Sequence, residues 1–227
     1  MITLIGRRGR LRSDSKGRAD AERVAAGRLF RGRFKSAVRK AIVAYSLRNR
    51  RKKTDFILAF LAEHDVNDVL LVGATGDEHG QANSGVIESF IAARYLVKMG
   101  INIEPANTTY PFMIADARDM PFEANYVDFA LANAIIEHVG HEPEQRRMVE
   151  EMSRVARTWI VTTPNKWFPV ESHTSTLFLH WFPAWRRGRE TDFTRLLSRR
   201  EFRALLPDDA KISGSPFSPT FIACYAR

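Results

Sequence analysis

The stretch Asp68–Gly80, DVLLVGATGDEHG, limits what this chain can fold into more than any other. An apolar run, Val69 to Val72, stops at a turn carrying Gly73, Gly76 and Gly80. A short continuous apolar run bounded by glycines reads as a buried strand, and glycine lets the backbone turn tightly and approach a ligand closely. In an open parallel sheet, ligands bind beyond the carboxyl ends of the strands. The loop is therefore the default seat for a nucleotide-like ligand. From the loop alone, an ordinary strand-to-helix connection reads equally well.

Beyond the loop, helical and strand patterns alternate. A helix is expected over Ser84–Arg94, with Val86, Ile87, Phe90 and Ile91 on its buried side. Strands are expected at Tyr95–Glu104, Phe112–Ala115, Val127–Asn133 and Trp159–Thr163. Between the last two lies a helix, Glu142–Arg157, with Met148, Val149, Met152 and Val155 as its apolar stripe. Upstream, Thr54–Glu63 reads as a helix capped by Thr54 or Asp55. Toward the C-terminus, a helix at Leu196–Leu206, with Ser198 or Thr194 near its start, precedes strands at Lys211–Ser213 and Phe221–Tyr225. Strands alternating with helices at this spacing predict βαβ units and a parallel sheet covered by helices on both faces.

The charge is unevenly placed. Residues 1–53 hold 18 of the 35 Lys and Arg but only three of the 26 Asp and Glu, a net charge of +15. The remaining 17 basic and 23 acidic residues leave the rest of the chain at −6. Domain organisation is therefore expected as a basic leader, 1–53, ahead of a mildly acidic domain, 54–227. Within the leader, residues 1–32 are too poor in large apolar residues for stable structure alone. Phe34, Val38, Ile42 and Tyr45 then recur at helical steps, which argues a basic amphipathic helix over residues 33–53. Such a helix attaches to an anionic surface, lipid or nucleic acid, or packs its stripe on the domain. The lone Cys224 excludes an internal disulfide framework and a cysteine-rich metal site, and fits a reducing compartment. No stretch approaches the roughly 20 apolar residues that span a bilayer, and no secretory signal is expected. These features point to a cytoplasmic protein, peripheral at the inner face of a membrane.

The motifs in order resemble the class I S-adenosylmethionine-dependent methyltransferases, in the broad methyltransferase type 11-like group. They are VLLVGATG (Val69–Gly76), GINIEP (Gly100–Pro105), ADARDMPF (Ala115–Phe122), LANAIIEHVG (Leu131–Gly140) and TPNKWFPVESHT (Thr163–Thr174). The resemblance covers Asp55 to Arg227. It implies a Rossmann-like fold: a mostly parallel seven-stranded sheet, helices on both faces and a C-terminal antiparallel strand. It implies S-adenosylmethionine as cofactor. Gly73, Ala74 and Gly76 would admit its methionine and ribose portion, and Asn102, with Glu104 nearby, would take the ribose hydroxyls. Asp116 would accept the adenine amino group, Ala117 would add its backbone, and Met120 and Phe122 an apolar wall. Asn133 to Glu137 would line the floor near the reacting methyl. The family usually carries an acidic residue where Leu71 sits, and Asp or Glu where Asn102 sits; Asp77 or Glu78 can substitute for the first. No metal is expected.

Methyl transfer from a sulfonium is an in-line displacement that rests on alignment, so no protein nucleophile is expected. An oxygen acceptor still asks for a base, and His138 and His173 rank first as catalytic candidates, ahead of His141 and Glu171. His138 reads more readily as a structural histidine holding its loop by hydrogen bonds than as a general base. Acceptor recognition is expected in the insertion 165–191, whose Trp167, Phe168, Phe178, Trp181, Phe182 and Trp185 suit an apolar or ring-bearing acceptor or a membrane edge. With the leader, this favours O-methylation of a small-molecule, saccharide or lipid-linked acceptor. A nucleic-acid methyltransferase using the leader as an arm, and a silent scaffold that kept the fold, are the competing readings.

Overall fold

In the computed structural model, residues 44–45, 47–76, 85–169, 181 and 194–227 are described. The chain divides into two compact units, Met1–Arg50 and Arg51–Arg227. In the first, the described residues 44–45 and 47–50 are helical, and Tyr45 and Leu47 are exposed. Phe34, Val38 and Ile42, the rest of the expected apolar stripe, lie outside the described residues, as does all of 1–32.

The second unit is built on a seven-stranded sheet. Its strands are β1 (Asp68–Val72), β2 (Leu96–Asn102), β3 (Phe112–Ile114), β4 (Val127–Asn133), β5 (Ala156–Pro164), β6 (Lys211–Ser213) and β7 (Thr220–Ala226). They lie in the order β3-β2-β1-β4-β5-β7-β6. β1 to β5 pair in parallel, while β7 runs antiparallel to both β5 and β6. Among the described residues of this unit, four α-helices accompany them: α1 (residues 51–63), α2 (Gly85–Ala92), α3 (Glu142–Val155) and α4 (Arg199–Leu205).

The two-residue period of the strands divides the core. Leu70 and Val72 of β1 point, with Ala130, Ala132, Trp159 and Val161, into the cluster that α3 and α4 close with Met148, Met152 and Phe202. Val69 and Leu71 point the other way, to Phe129, Leu131 and Ile160, under Ile57 and Leu61 of α1 and Ile87 and Ile91 of α2. Strands buried on both faces must be apolar throughout, which is why β1 reads as an unbroken hydrophobic run.

Several local expectations shift. α1 is already helical at residue 51, so neither Thr54, 7% exposed within the helix, nor Asp55 caps it. On α2 Phe90 is exposed and Glu88 is buried, because the helix turns its polar Glu88 toward the glycine loop. β5 takes Ala156 and Arg157, ending α3 two residues early. At α4, Ser198 is the cap: its hydroxyl accepts from the Glu201 N–H, and the Glu201 carboxylate accepts from the Ser198 N–H. Among the described residues, no helix is long and apolar enough to cross a membrane.

Candidate active site

The order β2-β1-β4 sets the carboxyl ends of these three strands side by side. Leaving β1, Gly73 has φ +77°, and its N–H and that of Ala74 both donate to the Ile101 carbonyl of β2, at 2.8 and 3.0 Å. A Cβ on Gly73 would stand 2.2 Å from the Ile135 side chain, beyond β4. Gly76, at φ +67°, lies so close to the β2–β3 connection that a Cβ would stand 2.3 Å from the Asn107 carbonyl oxygen. Both positions require glycine twice over, by conformation and by space. Asn102 closes the arrangement: its side-chain amide donates to the Ala74 carbonyl at 3.0 Å. Glu104, two residues on, is exposed.

Between the two glycines the Thr75 hydroxyl is buried without a hydrogen-bond partner among the described residues. The Thr75 N–H points to Glu88 Oε2 at 3.4 Å, and the Tyr110 hydroxyl reaches the same oxygen at 3.5 Å. Burial pushes the Glu88 carboxyl above its ordinary range, against these two hydrogen bonds. A cavity of about 310 Å³ opens beside it, lined by Gly76, Glu88, Ser89, Thr108 and Tyr110 among others.

After β3, the Arg118 side chain holds both oxygens of Asp116, at 2.5 to 3.0 Å, and the Arg118 N–H adds a further bond at 2.9 Å. The Arg118 guanidinium holds the Asp116 carboxyl below its usual range. Ala117 and Met120 are buried in the core, and Phe122 stacks on Tyr126 with ring centroids 4.4 Å apart. The accessible apolar surface here is Ile103, 69% exposed, and Ile114, 62% exposed.

At the end of β4, Asn133 is 5% exposed, and its Oδ1 accepts from Lys53 Nζ at 2.7 Å and Thr162 Oγ1 at 3.0 Å. A single 3-10 turn, Ile136–His138, comes next. Glu137 on that turn is fully buried; Thr163 Oγ1 donates to Oε2 at 3.3 Å, while Oε1 has no partner among the described residues. Burial pushes its carboxyl up to about 7, opposed by its own N–H, by Thr163 and by the charge of Lys53. His138 is exposed, with Nδ1 3.5 Å from Thr194 Oγ1, and His141 begins α3 without a side-chain capping bond. His173 and Glu171 lie outside the described residues, as do Asp77, Glu78, Gly80 and, of the insertion's aromatics, Phe178, Phe182 and Trp185. Trp167 and Trp181 are exposed.

The fold thus brings Gly73, Ala74, Gly76, Asn102, Glu104, Asp116, Ala117 and Asn133 to the edge formed by the carboxyl ends of β1 to β4. Sequence reasoning missed Lys53, Thr162 and Glu88, and saw Glu137 as pocket floor rather than as a buried acid. Lys53 is one letter in a basic run, and no spacing marks Glu88 or Glu137 as buried. Among the described residues no group of His, Cys, Asp and Glu is placed to hold a metal ion.

The edge fits S-adenosylmethionine. Two positive-φ glycines turn the chain sharply there, the buried Thr75 hydroxyl lacks a partner among the described residues, and two exposed isoleucines flank Asn102 and Asp116. Residues 91–158 match a family model described as a methyltransferase domain. No curated protein matches the sequence. Among solved structures, the methyltransferase domain of a bacterial Hen1 (CtHen1) aligns at a TM-score of 0.52 with 16% identity, covering 79% of this chain and 100% of that one. The small RNA methyltransferase HEN1 aligns at 0.51 with 15% identity, over 78% of this chain and 25% of its own. The N-methyltransferase NodS of Bradyrhizobium japonicum, bound to S-adenosylhomocysteine, aligns at 0.51 with 10% identity, over 78% and 86%. These likenesses are of fold. Together with the family match over residues 91–158, they make the second unit similar in fold to S-adenosylmethionine-dependent methyltransferase domains.

Proposed function

We propose that this domain transfers the methyl group of S-adenosylmethionine to an oxygen of a small-molecule, saccharide or lipid-linked acceptor. The observation that carries the reading is the glycine loop, whose two positive-φ glycines enclose a Thr75 hydroxyl without a partner among the described residues. Gly73 to Gly76 would hold the methionine and ribose portion, Asn102 and Glu104 the ribose hydroxyls, and Asp116 and the Ala117 backbone the adenine edge. Ile103 and Ile114 would cover the ring faces. The cofactor supplies a methyl group on a cationic sulfur that leaves readily, so the chain's task is alignment. Asn133 fixes the end of β4 for that purpose through Thr162 and Lys53.

His138, exposed at the mouth of the β4 turn, and His173 remain the candidates for the acceptor's proton. The insertion 165–191 would receive the acceptor, and the basic leader would keep the protein at an anionic, cytoplasmic membrane face.

Calorimetric titration with S-adenosylmethionine and S-adenosylhomocysteine tests the reading. Micromolar binding that Asp116→Ala weakens is expected. Absence of binding at millimolar ligand would leave a silent scaffold, the outcome that Leu71 and Asn102 favour at positions where the family carries acids.

A second reading has its own support. The first 53 residues hold 18 Lys and Arg, and two of the similar folds are named as Hen1 methyltransferases, one of them acting on small RNA. RNA affinity that falls steeply with salt would favour it.

A further inference from the structure

The polar groups behind the end of β4 are unequally satisfied. Asn133 Oδ1 is held from two sides, by Lys53 and Thr162. The neighbouring Thr163 reaches Glu137 Oε2, yet Glu137 Oε1 is buried with no partner among the described residues. A carboxyl kept fully out of water with one oxygen unmatched costs stability. Hydrophobic packing alone would be better served here by an apolar side chain. The cation of Lys53, 2.7 Å from Asn133 Oδ1, is close enough for its charge to act on Glu137.

We propose that Glu137 and Lys53 form a charge pair behind the methyl-transfer position that discriminates the cationic methyl donor from its neutral product. This rests on the methyltransferase reading of the domain. Transfer breaks the sulfur–methyl bond and leaves its electron pair on sulfur, so a sulfonium becomes an uncharged thioether. Donor and product share every other group. A fixed charge close by is therefore the simplest physical means of telling them apart, and a poorly solvated interior carries its influence over several ångströms. Ionised, Glu137 favours the sulfonium and offsets Lys53. Protonated, it no longer offsets Lys53, and the cationic donor is disfavoured. Neither residue needs to touch the ligand for this, which suits the full burial of Glu137 and the half-burial of Lys53; both are positioning residues.

Other charged groups surround the turn. His138 lies on it and is exposed. Arg195 gives its N–H to the Glu137 carbonyl at 2.7 Å, while its guanidinium reaches Gln145 and, at 3.8 Å, Glu142. Glu144 of α3 is half-buried beside Gly140. These shift the background common to donor and product, and substitution at Glu137 separates its effect from theirs.

The test is calorimetry on the full chain with S-adenosylmethionine and S-adenosylhomocysteine between pH 5.5 and 8.5. The quantity read is the preference for donor over product, the ratio of the two Kd values, in which the groups common to both ligands cancel. In the unmodified protein that preference should rise with pH by about tenfold, centred near the Glu137 titration at about 7. Glu137→Gln should hold it low and flat. Lys53→Met should raise it, most at the acid end. A preference independent of pH in the unmodified protein, or the same rise in Glu137→Gln, would overturn the pair while leaving the methyltransferase reading intact. Binding of neither ligand would overturn both. If Glu137→Gln loses its fold by circular dichroism, Lys53→Met decides: an unchanged preference there overturns the proposal.

Discussion

Asp116 carries a conflict between two partners. Arg118 keeps its carboxylate charged and aimed, yet occupies both of its oxygens. An adenine amino group bound as proposed would therefore share that carboxylate with the guanidinium rather than find it open. Asp116→Ala is expected to weaken S-adenosylmethionine by roughly ten- to a hundredfold, the range for a hydrogen bond to a charged group, as read by calorimetry. Gly76→Ala should be harsher on the fold. The new Cβ meets the Asn107 carbonyl at 2.3 Å in a backbone conformation that L residues avoid, costing about 1–3 kcal/mol in backbone strain alone. Chemical denaturation would show it, and cofactor affinity would fall in parallel. Asp116 is legible in the chain because DARDMPF carries a resemblance around it. Glu137 is legible only as a letter in IIEHV, since its burial is set by β5 and the segment before α4 packing over a turn more than 20 residues away.

Among the elements, the strands are the readable part. β4 spans the expected Val127–Asn133 because an apolar run between turn residues leaves little choice. Helix ends are less legible. Thr54 has the chemistry of a cap but sits inside a helix that begins upstream, for local cap chemistry competes with the packing of Ile57 and Leu61 on the sheet. Ser198 and Thr194 are equal candidates until Glu201 settles the matter, three residues after Ser198 in a reciprocal pair. Ser198→Ala should cost about 1 kcal/mol, seen as a lower urea midpoint with an unchanged slope. Phe90 shows the opposite failure: it lies on the apolar side of a short helix, yet Glu88 takes the inward direction because the glycine loop offers it a main-chain donor.

Across the whole molecule, pH acts through opposed groups. Asp116 and Glu151 are held below their usual range by Arg118 and Arg154, so their contribution is present above the unfolded carboxylate range and is lost as pH falls through their folded values. Glu137 has the reverse sign. Its folded value, about 7, lies above the ordinary 4.5, so the fold binds its proton more tightly than the unfolded chain does. Stability from this group therefore falls as pH rises from about 4.5 to 7, by up to roughly 3 kcal/mol. Glu137→Gln should lose less stability than the unmodified protein between pH 5 and 8, measured as the Tm difference at the two values. The charge division also has a consequence. Deleting residues 1–43 should abolish sedimentation with anionic vesicles at low salt, and pelleting equal to that of the intact chain would remove the membrane part of the proposal.

The linear chain is enough to specify the parallel α/β class, the place of the glycine turn and the division between basic leader and acidic domain. Each of these comes from patterns local in the chain: runs, periods and counts of charge. Folding in three dimensions was needed to turn Leu71 toward α1 and α2, to spend the Asn102 amide on the Ala74 carbonyl, and to bring Lys53, Asn133, Thr162, Thr163 and Glu137 together. Those five come from three stretches separated by tens of residues. Burial, and with it the cost or use of a charge, is a property of what the sheet brings together rather than of any one stretch.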